Sequence, residues 1–466
     1  MTFNEQGRRR RKQTVDYAQH MPNVAESVAS LLCRAGASSS VDLQRGLGVS
    51  PAALSRAIQT LSGQVVHIDA GSDVQYAIRR EVPRIGSSWP LFRVGPEGQP
   101  ALLGKLHALA RDQYWLDSPL TERPPLSDGL PFFLQDLVPQ GFIGRTIPRR
   151  FPELDLPECV TDWNDDQVLA YLCQRGEDCI GDLILGDESL ARFLKPRDSS
   201  PVVADPQARA KDYSALADAA LAGTVAGSVA GGEHPKFTAC VRQGRALRHV
   251  LVKFSPGGKD KIARRWADLL VCEHLATRAL HRAGLTAEVT ELLANGDRVF
   301  LEAERFDRTG TRGRTGLVSL AALANEHLGR RDTWTSATAS LAKLGVVTRA
   351  DAGTVRRIAT FGRLIANTDM HFGNLSFRLS FDEPLALAPV YDMLPMFYAP
   401  LAGGALPSAQ FEPPPPAAEN LDIWNEIAAI AAAYWRDVAA HEWISPEFSA
   451  QARRNSDLVA ATRTTR

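Results

Sequence analysis

Apolar residues recur at helical spacing in three short blocks near the start of the chain. Val24, Val28, Leu31 and Leu32 predict an amphipathic helix over 23–35. A second follows over 40–47, with Ser40 placed to cap it, and a third over 51–61, with proline at the first helical position. Gly48, Val49 and Ser50 make the turn between them. Alternating stretches at 64–68 and 74–78, joined around Gly71, predict a β-hairpin. Downstream, 248–254 is an aliphatic and β-branched run that reads as a buried strand. Trp266, Leu269, Leu270, Leu275, Ala279 and Leu280 then mark a helix over 261–283. Residues 289–300 read as two short strands around Asn295-Gly296, a hairpin dipeptide. A further helical pattern (Ile358, Phe361, Leu364, Ile365) stops at a polar cluster of Asn367, Asp369, His371 and Asn374. Strand-like Leu375 and Phe377 come next. Four prolines, Pro413 to Pro416, precede a final helical pair over 421–441 and 445–461, and Trp334, Trp424, Trp435 and Trp443 read as packing residues.

This punctuation predicts an α+β chain of four parts. Residues 1–82 form a winged helix-turn-helix, with the hairpin as its wing. Residues 89–200 form a mixed α/β segment behind a linker at 79–88. The stretch 195–206 leads into a mixed α/β lobe over 207–308, and 315–466 form an all-α lobe.

Chemistry enters where the patterns break. Lys253 lies inside the predicted strand, where an ammonium is costly unless it meets an anion or reaches water. Gly223, Gly227, Gly231 and Gly232 precede it, and glycine allows backbone N–H groups to approach an anion closely. An edge-strand lysine is the plainer reading; the glycine-rich loop favours phosphate contact. The following helix carries Glu273 and Asp268, either of which would pair with Lys253; periodicity does not choose. Asp369, Asn374 five residues on, and Asp392 after another apolar run make the set that phosphoryl transfer from ATP needs. One aspartate receives the attacking hydroxyl, while the asparagine and second aspartate hold magnesium. Asp and Asn after a helix also serve as caps and turn residues, so the combination carries the reading.

Four segments together resemble the HipA family of bacterial serine/threonine kinases. They are Ser-Val-Ala-Gly-Gly-Glu-His-Pro-Lys (228–236), Glu-Arg-Phe-Asp-Arg (304–308), Asn-Thr-Asp-Met-His-Phe-Gly-Asn (367–374) and Val-Tyr-Asp (390–392). Leu-Pro-Phe-Phe-Leu-Gln-Asp-Leu-Val-Pro-Gln-Gly from Leu130 and Gly-Glu-Asp-Cys-Ile-Gly from Gly176 extend the likeness, which covers roughly 90–400. That family supplies toxins of type II toxin–antitoxin systems linked to growth arrest and persistence. The resemblance implies a two-lobed kinase fold, ATP and Mg2+ as cofactors, and Asp369 as the catalytic residue. Asn374 and Asp392 would be metal ligands. Val229, Ala230, Gly231, Gly232 and Lys236 would form the phosphate loop, with Lys253 on the phosphates. Glu304, Arg305 and Phe306 would line the adenine pocket, with Tyr391 and His371 beside the nucleotide; His371 orders the catalytic loop. Ser228 matches an inhibitory autophosphorylation position. The loop departs from the family's Gly-Ala-Gln-Glu-Lys-Thr, and Gln140 replaces the glutamate of its Pro-Glu-Gly segment. Implied partners are a protein substrate, by precedent an aminoacyl-tRNA synthetase or other translation protein, and a helix-turn-helix antitoxin.

Charge changes the picture only locally. Lys+Arg and Asp+Glu are both 53, so no global field draws the chain to nucleic acid or membrane. Residues 1–82 hold ten Lys and Arg against seven Asp and Glu. Five of those cations are consecutive: Arg8, Arg9, Arg10, Arg11 and Lys12 would act as a phosphate-binding arm. Ser55, Arg56 and Gln59 on the third helix would face DNA bases; a protein-contact module is the other reading. A two-fold operator would favour a homodimer. The six cysteines form no Cys-x-x-Cys pair, and no apolar stretch spans a bilayer, which fits a reducing cytoplasm. Two other function classes stay open: a DNA-binding regulator with an inactive kinase-like half, and a metal-dependent phosphohydrolase using Asp369, His371, Asn374 and Asp392.

Overall fold

The structure, a computed structural model, describes residues 23–69, 74–119, 126–195, 202–203, 205, 207–223, 234–244, 246–329, 332–381 and 384–463. The chain forms two compact units. One ends at Arg80 and takes in Leu109–Asp112; the other comprises Glu81–Ala108 and the chain from Gln113 on.

In the first unit, helices run over Val24–Ala35, Ser40–Leu47 and Pro51–Thr60. Each start is capped as its sequence dictates: Asn23, Ser39 and Ser50 accept backbone N–H groups of the first turn. The second cap is Ser39, one residue before the expected Ser40. Strands Val65–Asp69 and Val74–Ile78 pair antiparallel, and Ser38–Ser39 adds to the outer side of the latter. Val28, Leu32, Leu43, Leu54, Ile58 and Val65 turn inward, giving the unit an apolar core.

In the second unit the largest apolar cluster draws on residues from Val82 to Val459, and a separate one around Tyr213, Phe237, Val250, Val252, Phe254 and Phe300 fills one face of the sheet that contains Lys236–Gln243 and Ala246–Phe254. A five-stranded sheet has the order Leu126–Asp128, Gln113–Asp117, Pro100–Leu109, Ser88–Val94, Leu183–Leu185. A second five-stranded sheet has the order Thr290–Asn295, Arg298–Glu304, Ala246–Phe254, Lys236–Gln243, Val202–Val203. Gly296, at φ 60°, supplies the left-handed turn between Asn295 and Arg298. Helix Lys261–Arg282 packs on this sheet and joins it to the helices beyond.

The region after residue 315 departs from the all-α expectation. Strands Leu317–Ser319 and Ser376–Arg378 pair antiparallel, the second just after the polar loop 367–374. The strand-like Leu375 and Phe377 mark the second of these, whereas Leu317–Ser319 is too short for a period-2 pattern to register; the pairing satisfies backbone groups buried in the core. Helices Arg349–Leu364, Leu421–Ala440 and Pro446–Ala461 otherwise dominate. Trp334, Trp424 and Trp435 are buried as expected, whereas Trp443 is exposed. Trp443 sits in the short turn between the last two helices, where no apolar face covers it.

Candidate functional site

Lys253 stands on the central strand of the second sheet, not on an edge. Its Cα partner on the neighbouring strand is Lys236, so pairing register sets two lysines side by side. Lys253 is buried, and its Nζ lies 2.5 Å from Glu273 Oε1 on the long helix and is ion-paired with Asp392 Oδ1. The helix choice is thereby decided for Glu273. Asp268, one and a half turns earlier, accepts the Ser445 N–H and hydroxyl, both at 2.7 Å, and so braces the cap of the last helix. Burial would lower the pKa of Lys253, but Asp392, Glu273 and Glu288 outweigh it and push it up. For Asp392, burial is overcome by Lys253 and Lys236, which hold its pKa down at about 2. Burial raises Glu273 against the pull of Lys253. Glu288 is pushed up to about 8, by burial and by the charge of Glu273.

The loop after helix Arg349–Leu364 is held from several sides. Trp435 Nε1 donates to Leu364 O at the helix end, at 3.0 Å. Ala366 then takes φ 61°, a left-handed conformation uncommon for a residue with a Cβ. Asn367 Oδ1 accepts the Asp369 N–H at 3.0 Å, and Asn374 Nδ2 donates to Asp369 O at 3.0 Å. His371 Nδ1 accepts the Gly373 N–H at 3.1 Å, while Trp334 Nε1 donates to His371 O at 3.1 Å. The Tyr391 hydroxyl donates to Gly373 O at 2.8 Å and lies 2.7 Å from Ser376 Oγ. Asp369 itself is exposed. Its pKa is raised, since water lost on its inner side and the charge of Asp392 outweigh His371 and Lys253.

A cavity of about 530 Å³ is lined by Lys236, Lys253, Glu288, His371, Asn374, Tyr391 and Asp392 among its polar residues; Asp369 and Glu273 are not in its lining. Val138, Ile180, Leu251, Ala303, Phe306 and Leu317 line an apolar end suited to a planar base. Phe306 lies under the Arg378 guanidinium, 5.4 Å from the ring centroid, and beside Tyr391. Glu304 and Arg305 line the cavity as well, but the Arg305 guanidinium is committed to both oxygens of Asp307, at 2.9 and 2.8 Å. Its side chain therefore serves the scaffold. Asn374 and Asp392 offer the hard oxygens that Mg2+ takes. With Asn374 Nδ2 spent on Asp369 O, Oδ1 is the atom left for a cation. Two lysines at the same end suit phosphate. The residues fit a magnesium nucleotide.

Ser228, Val229, Ala230, Gly231 and Gly232 lie outside the described residues, as do Arg8, Arg9, Arg10, Arg11 and Lys12. Sequence reasoning missed Glu288 and Asp136. Glu288 is a lone carboxylate between Ala287 and Val289, and that isolation in an apolar run was its only signal. Asp136 accepts the Ser319 N–H and hydroxyl, both at 2.6 Å, and burial raises its pKa. In the first unit, Ser55, Arg56 and Gln59 lie together on the exposed face of helix Pro51–Thr60.

Residues 85–194 match the middle domain of YjjJ-like toxins, and residues 228–446 match the HipA-like C-terminal domain. Toxin YjjJ of Escherichia coli (strain K12) is 35% identical over 415 residues, 89% of this chain and 93% of that one. Among solved structures, a chain of the Shewanella oneidensis MR-1 toxin–antitoxin complex of HipA, HipB and operator DNA aligns with a TM-score of 0.44 and 13% identity, covering 80% of this chain and 96% of that one. The Helicobacter pylori proinflammatory kinase CtkA aligns with a TM-score of 0.35 and 14% identity, covering 50% and 92%. On its sequence identity to YjjJ across nearly the whole of both chains, the protein belongs to the family of YjjJ toxins, which carry a HipA-like C-terminal domain.

Proposed function

We propose that the protein is an ATP- and Mg2+-dependent serine/threonine protein kinase, acting as a toxin on a cytoplasmic protein. One observation carries the reading: Lys253 meets Glu273 and, 139 positions further along the chain, Asp392, at the charged end of a cavity with an apolar far end. Asn374 and Asp392 would hold Mg2+, which would supply positive charge against the phosphates during transfer. Lys253 and Lys236 hold the nucleotide's phosphates. Asp369, exposed at the loop, orients the acceptor hydroxyl and takes its proton. The hydroxyl oxygen bonds to the γ-phosphorus as the bond to the bridging oxygen of ADP breaks. The raised pKa of Asp369 brings it nearer the range useful to a base. Lys253, Glu304, Phe306 and Tyr391 position the nucleotide, and His371 orders the loop.

Ser228 would be the autophosphorylated residue. Ser55, Arg56 and Gln59, with the basic run 8–12, would bind operator DNA as part of a winged helix-turn-helix, in a homodimer matching a two-fold site. A helix-turn-helix antitoxin and a translation protein as substrate follow from the HipA resemblance. Among the described residues no helix is long and apolar enough to cross a membrane.

Incubating the purified full chain with γ-labelled ATP and Mg2+ tests the reading. Label on protein that disappears in Asp369→Asn supports the kinase. Release of free phosphate alone favours a hydrolase, and nucleotide binding without either favours a regulator with an inactive catalytic half.

A further inference from the structure

Glu288 is buried, lines the charged end of the cavity, and leaves its Oε1 without a hydrogen-bond partner among the described residues. A carboxylate so placed is costly, and the lysine beside it is already engaged by two others, Glu273 and Asp392. Its surroundings explain its position. The Glu288 N–H donates to Val390 O at 2.9 Å, and the Val390 N–H donates to Thr286 O at 3.1 Å, so the two segments form a short parallel bridge. Two residues beyond Val390, the Asp392 backbone N–H donates toward the Glu288 carboxylate. Asp392 has φ 56°, a left-handed backbone that is strained for a residue with a Cβ. Such a conformation persists only where neighbours hold it.

We infer that Glu288 is a positioning residue for Asp392. It grips the main chain of that aspartate through the 286–288 bridge and its own carboxylate, so that the Asp392 side chain can leave Lys253 for a divalent cation without the backbone moving. The assignment rests on the nucleotide-site reading and deepens it. The buried Lys253 ammonium needs anions, and Asp392 and Glu273 supply them. When phosphates arrive the lysine turns to them, and Asp392 must change partner while keeping its place. A side chain on a separate segment, acting on the Asp392 N–H, permits that exchange.

The test uses the full chain and a nonhydrolysable ATP analogue, with affinity measured by calorimetry in EDTA and again in excess Mg2+. Wild type, Glu288→Gln and Glu288→Ala are compared, with circular dichroism on each as a check that it folds. In Glu288→Ala the ratio of affinity in Mg2+ to affinity in EDTA is expected to fall about tenfold or more below that of wild type, as it does when outer partners of metal ligands are removed. Glu288→Gln, which keeps an acceptor oxygen for the Asp392 N–H, retains most of that gain. Equal losses in EDTA and Mg2+, no loss in either, or a Gln variant as defective as Ala each overturn the assignment while leaving the nucleotide site standing. A wild type that binds no analogue in either condition overturns both.

Discussion

Two buried ionic clusters in the second unit are built from the same materials and behave differently. Around Asp307, both carboxylate oxygens are engaged. Its Oδ1 accepts from Arg305 Nε at 2.9 Å; its Oδ2 accepts from Arg305 at 2.8 Å, Arg308 at 2.7 Å and the Gly181 N–H at 2.9 Å. Arg308 also donates to Gly181 O and Cys179 O, at 2.9 and 2.5 Å. Burial alone would raise the Asp307 pKa, but the two arginines hold it well below the usual carboxylate range. Around Lys253 carboxylates are in excess. Glu273, Glu288 and Asp392 face two lysines, and Glu273 Oε2 and Glu288 Oε1 have no hydrogen-bond partner among the described residues. The first cluster ties Cys179–Gly181 to the segment that follows strand Arg298–Glu304. The second gathers more carboxyl groups than lysines, an arrangement that would suit a divalent cation. A buried ionic cluster that lacks counter-charges marks a site more reliably than the pKa shifts alone, which both clusters show.

Matched isosteric substitutions test that contrast. Asp392→Asn is expected to lower phosphate transfer by about 10³-fold, because a Mg2+ ligand is lost. Its thermal midpoint should barely change, because Lys253 keeps Glu273; a large fall would erase the distinction. Asp307→Asn should cost about 3–5 kcal/mol of stability in urea unfolding, since it leaves two buried guanidinium groups short of an anion. The variant that folds should still bind nucleotide.

The contrast also has a pH signature. The folded pKa of Asp307 lies below the unfolded value of 3.8, so its contribution is fully present above that value. It is lost as pH falls through the folded pKa. Urea midpoints between pH 6 and pH 3 should therefore drop at the acid end in wild type and drop less in Asp307→Asn. A charge of the opposite kind, Arg56 on the exposed helix of the first unit, gives the smallest effect. Arg56→Ala should change stability by less than about 0.5 kcal/mol. Its operator affinity in a gel shift should fall by about 1–3 kcal/mol, if the arginine reads a base.

Some of this was plain in the chain before folding. The helix starts follow from Asn23, Ser50 and Ser445, whose short polar side chains satisfy first-turn N–H groups locally. The Asn295-Gly296 hairpin follows from a backbone conformation that glycine adopts without strain. A lysine amid aliphatic residues announces a buried cation, as Lys253 is, and the polar cluster from Asn367 to Asn374 announces a loop where the helical pattern stops. Each of these signals lies within a few residues of what it specifies.

Other features depended on segments that meet only in the folded chain. Glu273 and Asp268 share one helix, and only the packing of that helix against the sheet decided which faces Lys253. The strand-like pattern at Leu375 and Phe377 did not name its partner, Leu317–Ser319, which is too short to carry a pattern of its own. Asp136 finds Ser319 183 positions away, and Glu288 reaches Asp392 across a bridge between two loops. Local propensity determined the elements, because caps, turns and periodicity act over one or two turns of chain. Which buried charges face one another was left to tertiary packing, because Coulomb and hydrogen-bond energies depend on distances in space that sequence separation does not encode.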